Sequence, residues 1–253
     1  MQKITFEKRK ELDYRMNEAY KSLRTNILFC GDNVKVIALT SCMPNEGKTT
    51  VAFELAHSMA SNGYQTILID ADLRKSVLVG RYKVGVVKEG LSHYLTGQSP
   101  LDHVICETDI ENMDIIFSGP YAPNPTEILG GQYFTDMLDQ LRLEYDYVII
   151  DAPPLGSVID AAIISKVSDG AIMVVSAGEI SYHFAQHVKS QLEKSNCKIL
   201  GAILNKVPIG GSKYYGHYYG KYYGKYYGKY YGKYYGKYYG TYGEYGHESE
   251  KKK

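Results

Sequence analysis

Ser41-Cys42-Met43-Pro44-Asn45-Glu46-Gly47-Lys48-Thr49-Thr50 follows the apolar run Val34–Thr40 and opens a helical pattern at Thr49–Ser61. A strand, a glycine-bearing loop and a helix start, in that order, are the setting of a phosphate-binding loop. Backbone N–H groups and the helix N-terminus then face the anion. Gly47-Lys48-Thr49 is its core: the Lys48 ammonium can reach the β- and γ-phosphates, and the Thr49 hydroxyl can ligate Mg²⁺. Asn45, Glu46, Gly47, Lys48, Thr49 and Thr50 are therefore the candidate nucleotide-binding residues. Cys42 stands where the usual pattern has its first glycine, so the setting carries the reading rather than the string. The competing reading is a chance Gly-Lys-Thr triplet at a strand-to-helix turn.

Outward from this loop, short β-branched runs alternate with amphipathic stretches. Strands are expected at Val34–Thr40, Thr66–Asp70, Met113–Phe117, Tyr147–Asp151, Ala171–Ser176 and Ile199–Leu204. Helices are expected at Thr49–Ser61, Thr126–Leu143, Ser157–Val167 and Ser181–Lys194. Near-continuous apolar strands separated by helices predict an α/β fold of the P-loop NTPase type, a parallel sheet flanked by helices. In such a sheet ligands bind beyond the carboxyl ends of the strands. Ile67-Leu68-Ile69-Asp70-Ala71-Asp72 and Tyr147-Val148-Ile149-Ile150-Asp151 both end there in carboxylates. One strand-end Asp alone reads as well as a helix cap or turn residue. Three acids in this arrangement favour a metal–phosphate site, with Asp151 holding Mg²⁺.

The chain divides into three expected regions: 1–32, 33–209 and 210–253. The first is polar and carries a helical stretch around Tyr14–Phe29, with Leu23 and Ile27 at helical spacing. The last is built differently. Seven tetrads of Lys/His-Tyr-Tyr-Gly run from Lys213 to Gly240, and no aliphatic residue follows Ile209. A segment without aliphatic residues has little with which to build a core, so it is expected to be disordered when free. It holds 16 tyrosines, namely Tyr214, Tyr215, Tyr218, Tyr219, Tyr222, Tyr223, Tyr226, Tyr227, Tyr230, Tyr231, Tyr234, Tyr235, Tyr238, Tyr239, Tyr242 and Tyr245. Nine lysines and three glutamates from Lys213 onward give the tail a charge of +6, against −5 for the rest of a chain whose total is +1.

The loop, the Ile69-Asp70-Ala71-Asp72-Leu73-Arg74 segment (a Walker A′ motif) and the Asp151 strand together resemble the bacterial tyrosine kinases. The resemblance is to the cytoplasmic, separate-chain form of capsule and exopolysaccharide operons, and it covers about residues 14–209. It implies ATP and Mg²⁺ as cofactors, with Lys48, Asp70, Asp72 and Asp151 catalytic and Thr49, Asp72 and Asp151 around the metal. Asp70 would orient or deprotonate the attacking phenol, and Asp72 would assist through Mg²⁺ or substrate contacts. The tail tyrosines would be the phosphoacceptors. Glu18, Lys21 and Arg24 lie on one stripe of the first helix and resemble the family's Glu-x-x-Arg-x-x-Arg motif, through which subunits form a ring. Lys21 stands where the motif has Arg, which keeps the charge and loses the bidentate fork. A membrane activator with a cytoplasmic segment and a cognate phosphotyrosine phosphatase are the implied partners. Asn205, after the last strand, resembles the Asn that contacts adenine in related ATPases; a turn or cap role competes.

The rival function is a ParA- or MinD-like ATPase with a Tyr-rich interaction tail. Those proteins carry a signature lysine five residues before Lys48, where this chain has Met43. Lysines interleaved with tyrosines also suit single-stranded nucleic acid; beside a kinase core the tail reads as substrate, and no nucleic-acid partner is expected. His183 and His187 share a helix face without a third ligand in view. Asp160 reads either as part of a switch segment coupled to Asp151 or as a helix-start residue. Cys30, Cys42, Cys106 and Cys197 are scattered, which suggests free thiols in a reducing cytosol. No apolar run approaches the ~20 residues of a membrane span, so association with the inner face of the membrane is expected to go through a partner.

Overall fold

The six apolar runs form strands, and two shorter ones join them in a single eight-stranded sheet. In this computed structural model, which describes residues 1–9 and 11–208, the chain opens with β1 (Gln2–Lys3), α1 (Tyr14–Leu28), β2 (Val36–Ser41) and α2 (Lys48–Ala60). Then come β3 (Thr66–Asp70), three short helices α3 (Leu78–Tyr82), α4 (Leu91–Leu95) and α5 (Leu101–Val104), and β4 (Ile105–Glu107). The second half runs β5 (Met113–Ile116), α6 (Pro125–Leu129), α7 (Gln132–Glu144), β6 (Tyr147–Asp151) and α8 (Asp160–Lys166). It closes with β7 (Gly170–Ser176), α9 (Tyr182–Glu193) and β8 (Ile199–Asn205).

Strand order is β1-β4-β5-β3-β6-β2-β7-β8. Every pairing is parallel except β4 with β5, so the expected parallel sheet is a mostly parallel one. All residues of β2 and β3 are buried, as helices on both faces require. The period of two sorts them: Val36, Ala38, Ile67 and Ile69 join the cluster with Phe134, Leu138 and Leu141 of α7. Ile37, Leu39 and Leu68 face the other way, toward Phe53, Leu55 and Met59 of α2.

Two helix readings change. The helix expected at Thr126–Leu143 is two, because Gly130-Gly131 separates α6 from α7. The helix expected from Ser157 begins at Asp160, since Ser157 and Val158 are in a turn whose N–H groups donate to the Pro154 carbonyl. Residues 1–32 pack into the same unit as the rest of the chain through Lys206, although composition sets them apart. Ile4, Phe6, Tyr20 and Ile27 are buried in the α2-side cluster. Phe6 meets Phe53 edge-on with ring centroids 5.0 Å apart, and Phe53 stacks on Tyr82 at 4.0 Å. The 210–253 region and its tyrosines lie outside the described residues.

Candidate active site

Neighbouring strands bring the sequence-predicted acids to one edge. Asp70 and Asp151 are direct register partners across β3 and β6, and Leu39 of β2 pairs with Asp151 from the other side. The loop leaving β2 therefore rises beside both acids. Lys48, at the first turn of α2, donates through Nζ to Asp151 Oδ1 at 2.5 Å, with both side chains buried. Asp70 is 1% exposed. Burial and the adjacent Asp151 push its carboxyl up to about 7, while the Ser76 hydroxyl and Lys48 pull the other way. Ser76 Oγ donates to Asp70 Oδ2 at 2.5 Å. Asp72 is half-buried and accepts from the Lys75 N–H at 3.0 Å, and its own N–H donates to Asp70 Oδ1 at 3.3 Å.

The loop itself is shaped by its backbone. Gly47 has φ +89° and Asn45 φ +68°, left-handed values that turn the chain into α2. A Cβ on Gly47 would stand 2.2 Å from Asn205 Nδ2. No side chain caps α2, so its first N–H groups face the loop without an internal acceptor. Glu46 is the residue whose side chain departs most from a simple ligand role. Its carboxylate turns inward, accepting from the Met43 N–H at 2.7 Å and the Ser176 N–H at 2.8 Å, and so braces the loop against β7. Asn205 Nδ2 donates to the Glu46 carbonyl at 2.8 Å, which gives that side chain a bracing role from β8. Thr49 is half-buried at the same turn, and the Thr50 hydroxyl accepts from Arg81 Nη1 at 2.7 Å.

Arg74 of the Walker A′ segment reaches across to Asp160. Arg74 Nε and Nη2 donate to the two Asp160 oxygens at 2.6 and 3.0 Å, and the Thr126 hydroxyl donates to Asp160 Oδ1 at 2.7 Å. Burial alone would raise the Asp160 carboxyl; the bonds from Arg74 and Thr126 outweigh it and hold the group below the usual carboxylate value. Asp160 is thus both the first residue of α8 and tied to the A′ loop. Ser76, Arg81 and Thr126 were not singled out by sequence, and only spacing after Asp70 could have pointed to Ser76. Cys42 is fully buried beside Glu46, and burial first, then Glu46, pushes its thiol up to about 11, far from reactive thiolate character.

The stripe on α1 is not a set of three free charges. Lys21 Nζ donates to Glu18 Oε1 at 2.8 Å, whereas Arg24 Nη1 turns inward to the Ser58 carbonyl at 2.8 Å.

Residues 34–199 match the family model described as AAA domain. Tyrosine-protein kinase CpsD of Streptococcus pneumoniae serotype 4 is 44% identical over 208 residues, spanning 82% of this chain and 92% of the relative. The crystal structure of the chimerical protein CapA2B2 superposes with a TM-score of 0.74 at 32% identity, covering 82% of this chain and 95% of that one. The septum site-determining protein MinD of Pyrococcus horikoshii, complexed with Mg-ADP, is further away, at a TM-score of 0.60 and 26% identity over 71% of this chain and 72% of that one. The rival ATPases thus share the fold, while the nearer likenesses carry the kinase name; the chain belongs to the CpsD/CapB family of bacterial tyrosine-protein kinases.

Proposed function

We propose that this chain transfers the γ-phosphoryl group of Mg-ATP to tyrosine hydroxyls, chiefly those between Tyr214 and Tyr245 of a neighbouring copy in a homo-oligomeric ring. In that role it regulates the synthesis and export of a capsular or extracellular polysaccharide. The observation that carries the reading is the pairing of Asp70 with Asp151 at the strand ends, beside a phosphate loop whose Lys48 already touches Asp151. A P-loop site uses a strand-end acid to hold the metal; in this reading the second, buried carboxylate beside it receives the incoming hydroxyl.

The residues present fit a magnesium-bound triphosphate. The uncapped start of α2 offers N–H groups to phosphate oxygens, and Thr49, Asp72 and Asp151 are the hard oxygen donors that Mg²⁺ accepts. When bound, Mg²⁺ would offset the charge that builds on the phosphate oxygens. Lys48 leaves Asp151 for the β- and γ-phosphates. Asp70 orients the phenol and takes its proton as the O–P bond to tyrosine forms and the bond to the ADP oxygen breaks. A phenol of pKa near 10 is a poor nucleophile at neutral pH, and a proton acceptor near 7 suits it. Asn45, Glu46, Gly47 and Thr50 complete the phosphate cradle through the backbone and the Thr50 hydroxyl, and Asn205 flanks the base.

Each phosphotyrosine adds about −1.5 to −2 charge, so about four would cancel the +6 of the tail. A membrane protein with a cytoplasmic segment serves as activator, and a phosphotyrosine phosphatase resets the tail. No helix among the described residues is long and apolar enough to cross a membrane, which supports recruitment to the inner face through that partner. Ring assembly through Glu18, Lys21 and Arg24 requires Arg24 to exchange Ser58 for a neighbour.

Labelled ATP tests the reading. Transfer of γ-phosphate to protein, mapped by mass to the 214–245 segment and lost in Lys48→Ala and Asp70→Asn, is the expected result. Release as free phosphate alone would favour the MinD-like alternative instead.

A further inference from the structure

The end of β3 and the loop that follows it carry both acids assigned to the reacting hydroxyl, and the internal bonds of the loop are made by those same acids. Asp70 holds Ser76 and the Asp72 N–H, and Asp72 holds the Lys75 N–H. A carboxylate that turns to a phenol or a cation gives up part of that bonding, so the loop loses internal support when it is needed. Among the described residues, the polar side-chain link from this loop to another segment that leaves both acids free is the one from Arg74. Its guanidinium forms a two-pronged pair with Asp160 and also donates to Thr126 Oγ1 at 2.9 Å. Asp160 is 1% exposed, begins α8, and follows Asp151 by nine residues through the turn over the phosphate loop. Thr126 belongs to α6. The triangle therefore joins the segment after β3 to the start of α8, after β6, and to α6.

Resting on the reading of Asp70 and Asp72 given above, we propose that Arg74, locked by Asp160 and Thr126, is the positioning residue of this kinase. It holds the A′ loop in place while Asp70 and Asp72 change partners. The planar fork matters, because two parallel N–H···O bonds fix direction as well as distance, which a lysine ammonium does not. A displacement of about 1 Å at a reacting group costs about 100-fold in rate. Among the described residues, the hydrogen bonds of the Arg74 side chain go to Asp160 and Thr126 and none goes to the loop of residues 41–50, so ground-state nucleotide binding is expected not to need Arg74.

The test is steady-state tyrosine phosphorylation of an added tyrosine peptide by the full chain with its activator segment, together with ADP affinity and thermal unfolding. Arg74→Ala is expected to lower kcat about 100-fold with KM for ATP and Kd for ADP within about twofold of wild type. Arg74→Lys should recover little of it. Since loss of Arg74 leaves Asp160 buried without its partner, Thr126 supplies the variant with an intact ion pair. Thr126→Val should lower kcat about tenfold while Thr126→Ser, which keeps the hydroxyl, stays at wild-type rate. Wild-type kcat in Arg74→Ala, a change in KM for ATP alone, or equal rates in Thr126→Val and Thr126→Ser would overturn the proposal. Asp70→Asn, run alongside, separates the two readings: if it stays active, the assignment of Asp70 fails, and if it is inactive while Arg74→Ala is not, only the positioning role fails.

Discussion

Gly156 offers a sharp test of how closely the segment after β6 and the phosphate loop must approach. Its backbone is not left-handed, so a substitution there acts through space alone. A Cβ added to Gly156 would stand 2.1 Å from the Cys42 carbonyl oxygen and 3.0 Å from Phe184 Cζ. A carbon–oxygen pair settles at about 3.3 Å, so the two loops must part by about 1.2 Å. The half-buried ring of Phe184 crowds the same Cβ. Since Asp151 ends the strand that feeds one of these loops and Lys48 opens the helix that follows the other, a shift of that size falls on the Lys48–Asp151 pair. We expect Gly156→Ala to lower kcat by about 100-fold, equivalent to about 2.7 kcal/mol in the barrier. Overpacking should also cost about 1–3 kcal/mol of stability. The assay is the initial rate of phosphotyrosine formation at saturating labelled ATP, with thermal unfolding run beside it. Gly201→Ala, whose Cβ meets nothing within 4 Å, is the control. A Gly156→Ala rate within threefold of wild type would refute the claim that this contact sets the site.

Lys48→Met should do more than remove the proposed phosphate ligand. It leaves Asp151 buried beside Asp70 without its cation, and breaking one side of a buried pair costs about 3–5 kcal/mol, so a lowered unfolding midpoint is expected along with lost activity. Asp169 gives a pH prediction away from the site. Burial would raise its carboxyl, but Arg142 and the N–H groups of Lys35 and Val36 hold it below the usual value. A folded-state pKa below the unfolded one means stability that is fully present above about pH 4 and is lost as pH falls through the lower value. Asp169→Asn should therefore be less stable than wild type at pH 7, with the gap narrowing in denaturant melts below about pH 4.

Much of this molecule was legible in its sequence for one reason: the central strands are buried on both faces, so burial writes them as apolar runs with a carboxylate at the end. Thr66–Asp70 and Tyr147–Asp151 could be read to the residue on that basis. Gln2–Lys3 and Ile105–Glu107 could not, since strands of two and three residues at the sheet's end carry no alternation. Among the site residues, Lys48, Asp70 and Asp151 were visible because each sits at a strand or helix boundary. Asp160 was read as a switch or helix-start residue, but its pairing with Arg74 was not visible, and Thr126 was not marked as a site residue. Asp160 and Thr126 lie 86 and 52 residues away, and nothing local marks a hydroxyl that will meet a guanidinium. Arg24 illustrates the converse: its helical spacing suggested an outward charge, yet its long side chain folds back onto α2.

The inward turn of Glu46 has a kinetic corollary. A loop pinned from below by one carboxylate, and by Asn205 from the flank, has its shape before any nucleotide arrives. Capture then needs no rearrangement of the backbone, so the observed association rate in a stopped-flow experiment should climb in proportion to nucleotide concentration, without levelling off. In Glu46→Gln, where one bracing acceptor becomes a donor, that line should bend to a plateau set by how fast the loop finds its form.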